Sequence, residues 1–415
     1  MNYLYNFVIS LAGIILKILA VFNKKIALFV NGRKQTFSRL QSQIKPDDKT
    51  IWIHCASLGE FEQGRPIIER LRKSKPSYKI VLSFFSPSGY EVRKDYEEVD
   101  IVVYLPLDSA KNAKIFIDLV QPSLAIFVKY EFWPNMLNEL KRNSVQTILV
   151  SGIFREDQIF FKFYGSWMKK SLLSFSHFFV QNKHSQNLLE NIGVNKVTIS
   201  GDTRFDSVNT ILSQDNRLDF LEDFVKGNQV LVAGSTWPID ESYLTSFLNM
   251  KQVENFRCII APHNINKKEI LKLKNNINLE TALFSDGEIN KTAKVFIADT
   301  VGILTKIYSY ADMAYVGGGF GAEGIHNVLE PAVFSIPLVI GPIYDKFEEA
   351  KELVALNGCL VASDEIQLFD HLYELNNNED YRLKMGEIAG SYIKKNIGAT
   401  EIILNYIEQQ LGDNS

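Results

Sequence analysis

Three charged side chains stand where apolar runs end, and their types suit group transfer. In HCASLGEFEQGRP, residues 54–66, Glu60 lies directly behind Gly59, at the close of an apolar run and the start of a helical pattern. A carboxylate there can touch a ligand, or it can simply be favoured by the positive end of a helix dipole. Glu131 in KYEFWPN ends another run just before Pro134, a residue suited to the first helical position. GDTRFD brings Arg204 towards the next segment of chain. An ion pair between Glu131 and an arginine is the plain structural account of the last two. SGIFRED adds Arg155 at a further strand end.

The second half of the chain has the residue types that hold a nucleotide. AGSTWPIDESYL, residues 233–244, reads as a strand end, a turn and a helix entered through Pro238. Ser235 and Thr236 there can cap the helix or donate to a phosphate, and the two roles share one geometry. Pro262 and His263 in APHN end another strand, and DTVGIL carries the Val301–Gly302–Ile303 turn, where the backbone can approach a base or phosphate. VGGGFGAEGIHNVLEP contains a literal GxGxxG at Gly319, Gly321 and Gly324, with Asp345 downstream at a ribose-binding distance. A late strand and a short following helix with Pro331 in its first turns argue against a dinucleotide. The expectation is instead an anion site at a helix beginning near Asn327, with Glu330 one turn in, accepting from ribose hydroxyls.

These residues need strands to carry them. TIWIHCAS, YKIVLSFFS, IVVYLP, SLAIFVKY, TILVSG, HFFVQ and KVTISG read as buried parallel strands alternating with helical patterns, to about residue 208. VLVAGST, RCIIAPH, KVFIAD, MAYVGGG, PLVIGP and CLVAS form a second series, 229–395, after a polar linker at 209–228. The fold class expected is α/β, with two doubly wound Rossmann-like domains whose strand ends face a cleft. The last helix, 396–415, is expected to pack back on the first domain. A length of 415 residues suits two cores.

Residues 1–30 are read as a membrane-associated helix. FVISLAGIILKILAVF is nearly all apolar, with one narrow polar stripe drawn by Asn6, Ser10, Gly13 and Lys17. Its sixteen residues reach roughly 24 Å, short of the ~30 Å hydrocarbon core, which favours an interfacial anchor over a span. Up to Pro46 there are seven lysines and arginines and no acid, suited to an anionic leaflet or anionic lipid substrate. A formal net charge of −3 gives no nucleic-acid signature. Cys55, Cys258 and Cys359 are widely spaced, which supports neither a zinc site nor a disulfide framework.

HCASLGEFEQGRP, KYEFWPN, GDTRFD, DTVGIL and GIHNVLEP, in that order, resemble the motifs of the 3-deoxy-D-manno-octulosonic acid (Kdo) transferases of lipopolysaccharide biosynthesis. The resemblance implies a GT-B glycosyltransferase, with residues 31–208 as acceptor-binding domain and 229–395 as CMP-Kdo-binding domain. It implies transfer of Kdo from CMP-Kdo to a lipid A precursor of lipid IVA type, inverting and without metal or other cofactor. The family's general base falls on Glu60, and its paired transition-state contacts on Glu131 and Arg204. Nucleotide contacts fall on Pro262 and His263, on Val301 to Ile303, and on Asn327, Val328, Leu329 and Glu330. The sequence has Arg204 where the family commonly has Lys, APH where it often has PRH, and VKYEFWPN for METELWPN-like blocks. The implied location is the cytoplasmic face of the bacterial inner membrane. Rival readings are a UDP-sugar GT-B enzyme acting on a lipid-linked acceptor, and a non-catalytic nucleotide-sugar-binding protein.

Overall fold

The computed structural model describes residues 2–250, 256–290, 292–322 and 324–412, with side chains from Leu4 onward. The last three residues of the expected C-terminal helical segment lie outside the described residues. The chain divides into two compact units, Met1–Ser207 with Ile397–Ser415, and Val208–Asn396.

The first unit is built on β1 (Thr50–Cys55), β2 (Lys79–Phe84), β3 (Ile101–Tyr104), β4 (Pro122–Val128), β5 (Gln146–Gly152), β6 (His177–Val180) and β7 (Val197–Ile199). They form one seven-stranded parallel sheet in the order β3-β2-β1-β4-β5-β6-β7. Side chains alternate between its faces. Trp52 joins Phe116 and Phe127 in one core cluster, whereas Ile51, Ile53 and Cys55 join Phe61 and Ile67 in the other. The strand order reverses between β1 and β4, so the crevice outside their carboxyl ends is the expected ligand position.

The C-terminal helix Ala399–Leu411 buries Ile403, Leu404 and Ile407 in the second of these clusters. Asp206 of GDTRFD fixes its start, accepting from Gly398 N at 2.6 Å, and from Thr400 N at 2.7 Å and Thr400 Oγ1 at 2.8 Å. That acid therefore serves the fold.

The second unit contains β8 (Gln229–Thr236), β9 (Phe256–Pro262), β10 (Thr281–Leu283), β11 (Val295–Ile297), β12 (Met313–Val316), β13 (Leu338–Ile340) and β14 (Cys359–Val361). Its parallel order is β10-β11-β9-β8-β12-β13-β14, with the reversal between β8 and β12. Sequence reading missed β10, whose Thr281-Ala282-Leu283 has neither Val nor Ile, unlike the equally short β7, β11, β13 and β14. The segment 209–228, expected as linker, carries the short helix Asp219–Val225, with Leu221 and Phe224 buried, and falls in the second unit.

The N-terminal helix Asn2–Leu19 lies against the first unit with its apolar side outward. Phe7, Ile14, Ile18 and, just beyond the helix, Phe22 are exposed by 64%, 57%, 59% and 84%. Of the expected polar stripe, Ser10 and Lys17 are exposed, but Asn6 and Gly13 turn towards the protein. Asn6 Oδ1 accepts from Ala110 N and Asn135 Nδ2, each at 3.1 Å, and Gly13 leaves room for Leu107. Among the described residues no helix is long and apolar enough to cross a membrane.

Candidate active site

Glu60 is the third residue of the helix Leu58–Ser74, which leaves the carboxyl end of β1. Its Oε2 accepts the Ser57 backbone N–H at 3.1 Å and also the Ser57 hydroxyl. Both bonds fall on one oxygen, so the capping geometry that starts the helix also orients the carboxylate. Glu131 follows β4, the next strand across the switch point. Its Oε2 takes the Trp133 indole N–H at 2.7 Å and lies 3.2 Å from Nε2 of His54. Burial, then Glu60, then Glu131 push the Cys55 thiol far above its ordinary pKa, so both carboxylates act on the end of β1.

Arg204 is tied to Asp202, which receives its backbone N–H at 2.9 Å, its Nε at 2.9 Å and its NH2 at 2.8 Å. Gln63, one turn past Glu60, donates to both oxygens of the same carboxylate at 3.1 Å. Burial alone would raise the Asp202 pKa; the Arg204 charge and these hydrogen bonds outweigh it and hold it below the ordinary value. Arg155 sits over the Tyr130 ring, 5.9 Å from its centroid. Burial raises the Tyr130 hydroxyl pKa, with Arg155 and Arg204 opposing and Glu60 and Asp202 adding. These five groups, carried by the segments that follow β1, β4, β5 and β7, therefore influence one another. Lys129 and Ser151, at the ends of β4 and β5, hold φ of 69° and 50°, strain of a kind that collects at functional sites.

In the second unit β8 runs through the Gly-Ser-Thr segment with a register shift, and Ser235 takes φ 54°. Thr236 is buried and its hydroxyl donates to Glu241 at 3.2 Å, so of the pair only Ser235 keeps a partly open side chain. Neither side chain caps the helix, one of the two roles open to them. Instead buried Asp240 accepts the Trp237 and Gly318 N–H groups at 2.8 Å and the Tyr315 hydroxyl at 2.6 Å. This joins the β8 and β12 turns. Burial lifts its carboxyl above the usual range against these three bonds.

The exposed His263 ring stacks on Trp237 at 4.6 Å, and His326 lies 4.5 Å from His263. Trp237 Nε1 donates to His326 Nε2 at 3.0 Å. Val301 and Gly302 are exposed on their turn, where φ of 88° requires glycine. The helix expected near Asn327 begins at Leu329 and ends at Ala332, so Glu330 is its second residue rather than one turn in. Asn327 spans that start, accepting from Leu329 N at 3.1 Å and donating to Glu330 at 3.0 Å, and Thr305 donates to the other Glu330 oxygen at 3.0 Å. Val328 and Leu329 have buried side chains, which leaves backbone contact only. The glycine run serves close packing: a Cβ on Gly319 would meet Gly341 Cα at 2.7 Å. Among the described residues no group of three His, Cys, Asp or Glu gathers as metal ligands do.

The family model described as 3-deoxy-D-manno-octulosonic-acid transferase (kdotransferase) matches residues 31–207, which contain Glu60, Glu131 and Arg204. The 3-deoxy-D-manno-octulosonic acid transferase of Haemophilus influenzae is 26% identical over 385 residues, covering 89% of this chain and 89% of that one. The transferase of the same name from Aquifex aeolicus is 28% identical over 354 residues, covering 83% and 92%. The Kdo transferase model thus describes residues 31–207, and relatives of that name align along most of the chain.

A bifunctional glycosyltransferase/methyltransferase of Fusobacterium nucleatum, 28% identical over 332 residues, matches 77% of this chain. There the chain spans about half (50%) of the longer protein. Two solved structures share its fold. A glycosyltransferase from Rickettsia africae has a TM-score of 0.56 at 15% identity, over 89% of this chain and 100% of that one. The UDP-GlcNAc 2-epimerase of Neisseria meningitidis has a TM-score of 0.60 at 14% identity, over 87% and 100%. Tandem Rossmann-like units of this kind are the architecture expected for GT-B enzymes.

Sequence reading overlooked His54, Trp133, Asp202, Trp237 and His326. His54 carried a usable signal, since period-two alternation along β1 puts it on the face of Trp52. Trp237 and Asp240 carried none, because only the folded turn brings them to Gly318 and His326.

Proposed function

We propose that the protein transfers Kdo from CMP-Kdo to the 6′-hydroxyl of a lipid A precursor of lipid IVA type, with inversion and without a metal. The observation that carries this reading is the placement of Glu60 and Glu131 on neighbouring strand ends at the β1/β4 reversal, within the residues that the Kdo transferase model matches. The acceptor oxygen bonds the anomeric carbon while its proton passes to Glu60, and the bond from that carbon to the CMP phosphate oxygen breaks. Ser57 holds one carboxylate oxygen of Glu60 and the other takes the proton. Glu131 and Arg204 contact the sugar in the transition state, and Asp202 keeps Arg204 from collapsing onto other acids. His263, Ser235, the Gly302 turn and the Asn327–Glu330 segment hold the CMP portion, where backbone N–H groups and His263 meet the leaving phosphate.

The acceptor's lipid part meets the N-terminal region on the cytoplasmic face of the inner membrane. A groove of about 360 Å³ lies between the N-terminal helix, the helix Lys24–Gly32 and the loop after β3, lined by Gly13, Ile14, Phe29 and Leu107, with Arg33 and Lys34. Arg33 lies over Phe29 at 3.4 Å and donates to the carbonyls of Phe29 and Phe85 at 2.8 and 2.6 Å. Burial pulls its pKa down, to about 9, which leaves it cationic at neutral pH. An apolar trough beside fixed cations suits an acyl chain with an anionic head. Thermal shift tests the donor: CMP is expected to protect the protein more than UDP, and stronger protection by UDP would turn the reading to a UDP-sugar enzyme.

A further inference from the structure

A line of four side chains runs from the sheet interior to Glu131, and the chemistry above uses only its end. Alternation along β1 puts Trp52 and His54 on one face, and strand register sets His54 beside Ser83 of β2. Trp52 Nε1 donates to Ser83 Oγ at 2.8 Å. The Ser83 hydroxyl meets His54 Nδ1 at 2.9 Å, and the Ser83 backbone carbonyl lies 3.1 Å from the same nitrogen. On the far side His54 Nε2 lies 3.2 Å from Glu131 Oε2, and Trp133 Nε1 reaches both atoms, at 2.7 Å to the oxygen and 3.2 Å to the nitrogen.

A bare Nε2 lone pair facing a carboxylate oxygen at that distance would be repulsive. Each ring nitrogen thus faces an acceptor, the Glu131 carboxylate at Nε2 and the Ser83 carbonyl at Nδ1, and the charged carboxylate is the stronger of the two. The proton is therefore assigned to Nε2, where it donates to Glu131, the Trp133 N–H goes to the same oxygen at the shorter of its two distances, and Nδ1 accepts from the Ser83 hydroxyl. Phe127 and Trp133 pack edge-on to the imidazole at 5.7 and 6.4 Å, which hinders rotation of the ring. His54 is fully buried, whereas the Glu131 side chain is 14% exposed. The line thus joins a rigid strand to a carboxylate at the surface of the site.

We propose that His54 is a positioning residue for Glu131: its Nε2–H and the Trp133 indole N–H aim the carboxylate, and the Ser83 hydroxyl, itself held by Trp52, anchors the ring at Nδ1. The inference rests on the reading of Glu131 as a transition-state contact. Second-layer groups of this kind fix the orientation of those that meet substrate.

Substitutions that copy one ring nitrogen at a time provide the test. Asn places its amide nitrogen near the Nδ1 position, and Gln places it near Nε2. With the full chain, CMP-Kdo and a lipid A precursor, His54→Asn is expected to lower kcat about tenfold or more, with CMP affinity and acceptor KM within about twofold. His54→Gln should recover to within about threefold of the wild type, and His54→Asn combined with Glu131→Gln should be no slower than Glu131→Gln alone. A His54→Gln enzyme as slow as His54→Asn, or an additive double variant, overturns the proposal. If His54→Asn does not fold, Trp133→Phe removes the second donor and leaves His54 in place; undiminished kcat there also overturns it. A Glu131→Gln enzyme with normal turnover removes the reading of Glu131 itself, whereas a slow Glu131→Gln beside a normal His54→Asn removes only the role given to His54.

Discussion

The hydroxyl of Tyr5, on the N-terminal helix, donates at 2.9 Å to the buried carboxylate of Asp108. The same carboxylate accepts Asn135 N at 3.0 Å and Met136 N at 2.9 Å, in the first turn of the helix Pro134–Arg142 that follows Glu131 and Trp133. Burial raises the Asp108 pKa against these bonds. One acid therefore fastens the N-terminal helix to the helix behind the candidate catalytic loop.

Removing that fastening has a graded effect. Tyr5→Phe loses one hydrogen bond, about 1 kcal/mol, whereas Asp108→Ala leaves two buried N–H groups unpaired and is expected to cost about 1–3 kcal/mol. Urea midpoints of the two variants check the order; equal midpoints would contradict it.

The outward apolar side of the N-terminal helix makes a second prediction. Ile14→Asp with Ile18→Asp should reduce sedimentation with anionic vesicles several-fold and leave CMP affinity unchanged, since both residues belong to the first unit and the proposed CMP contacts to the second. Unaltered vesicle binding would remove the membrane role of this helix.

Two groups in the second unit oppose each other with pH. Burial lifts Glu241 from 4.5 to about 7, with the Thr236 bond opposing and the charges of Asp240 and Glu269 adding. Between those values the folded state holds more protons than the unfolded one, so this group makes stability fall as pH rises from about 4.5 to 7. Burial, then the charge of His263, depresses His326 from 6.5 to about 4. There the unfolded state holds the extra proton, and stability rises with pH from about 4 to 6.5. Glu241→Gln should gain stability over the wild type at pH 8 more than at pH 5. His326→Gln should do the reverse, gaining at pH 4.5 relative to pH 8. Denaturation midpoints at these pH values that move in parallel would refute both assignments.

Ser57→Ala separates capping from catalysis at Glu60. Loss of the N-cap hydroxyl should cost about 1 kcal/mol of stability. Because the backbone N–H of residue 57 still holds Oε2, turnover should fall far less than in Glu60→Gln. Equal loss in both variants would show that the hydroxyl, not the carboxylate, carries the chemistry.

Much of this arrangement was legible in the chain. Buried parallel strands are continuous apolar runs, so every strand of the first sheet could be read, together with the acids and glycines at their ends. β10 lacks the β-branched apolar residues that marked the other three-residue strands, and the four-residue helix at Leu329 falls below the length at which periodicity speaks. Partners were harder than positions: Arg204 was legible as a cation beyond the last strand of the first series, but its bond to Asp202 two residues earlier depends on a local turn. Thr236 illustrates the opposite error, since a hydroxyl at a strand end suits a ligand until the fold buries it beside Glu241. The inward turn of Asn6 and Gly13 was also hidden, because a helical stripe shows that two faces differ but not which one meets the protein.

The most direct measurement is product mass from purified protein given CMP-Kdo and tetra-acylated lipid A precursor, with Glu60→Gln in parallel. The account predicts acceptor gaining one or more Kdo residues with equal release of CMP, and a variant that still binds CMP but transfers at least about a hundredfold more slowly. Wild-type protein that binds CMP and leaves the acceptor mass unchanged, or a Glu60→Gln variant with undiminished transfer, would contradict it.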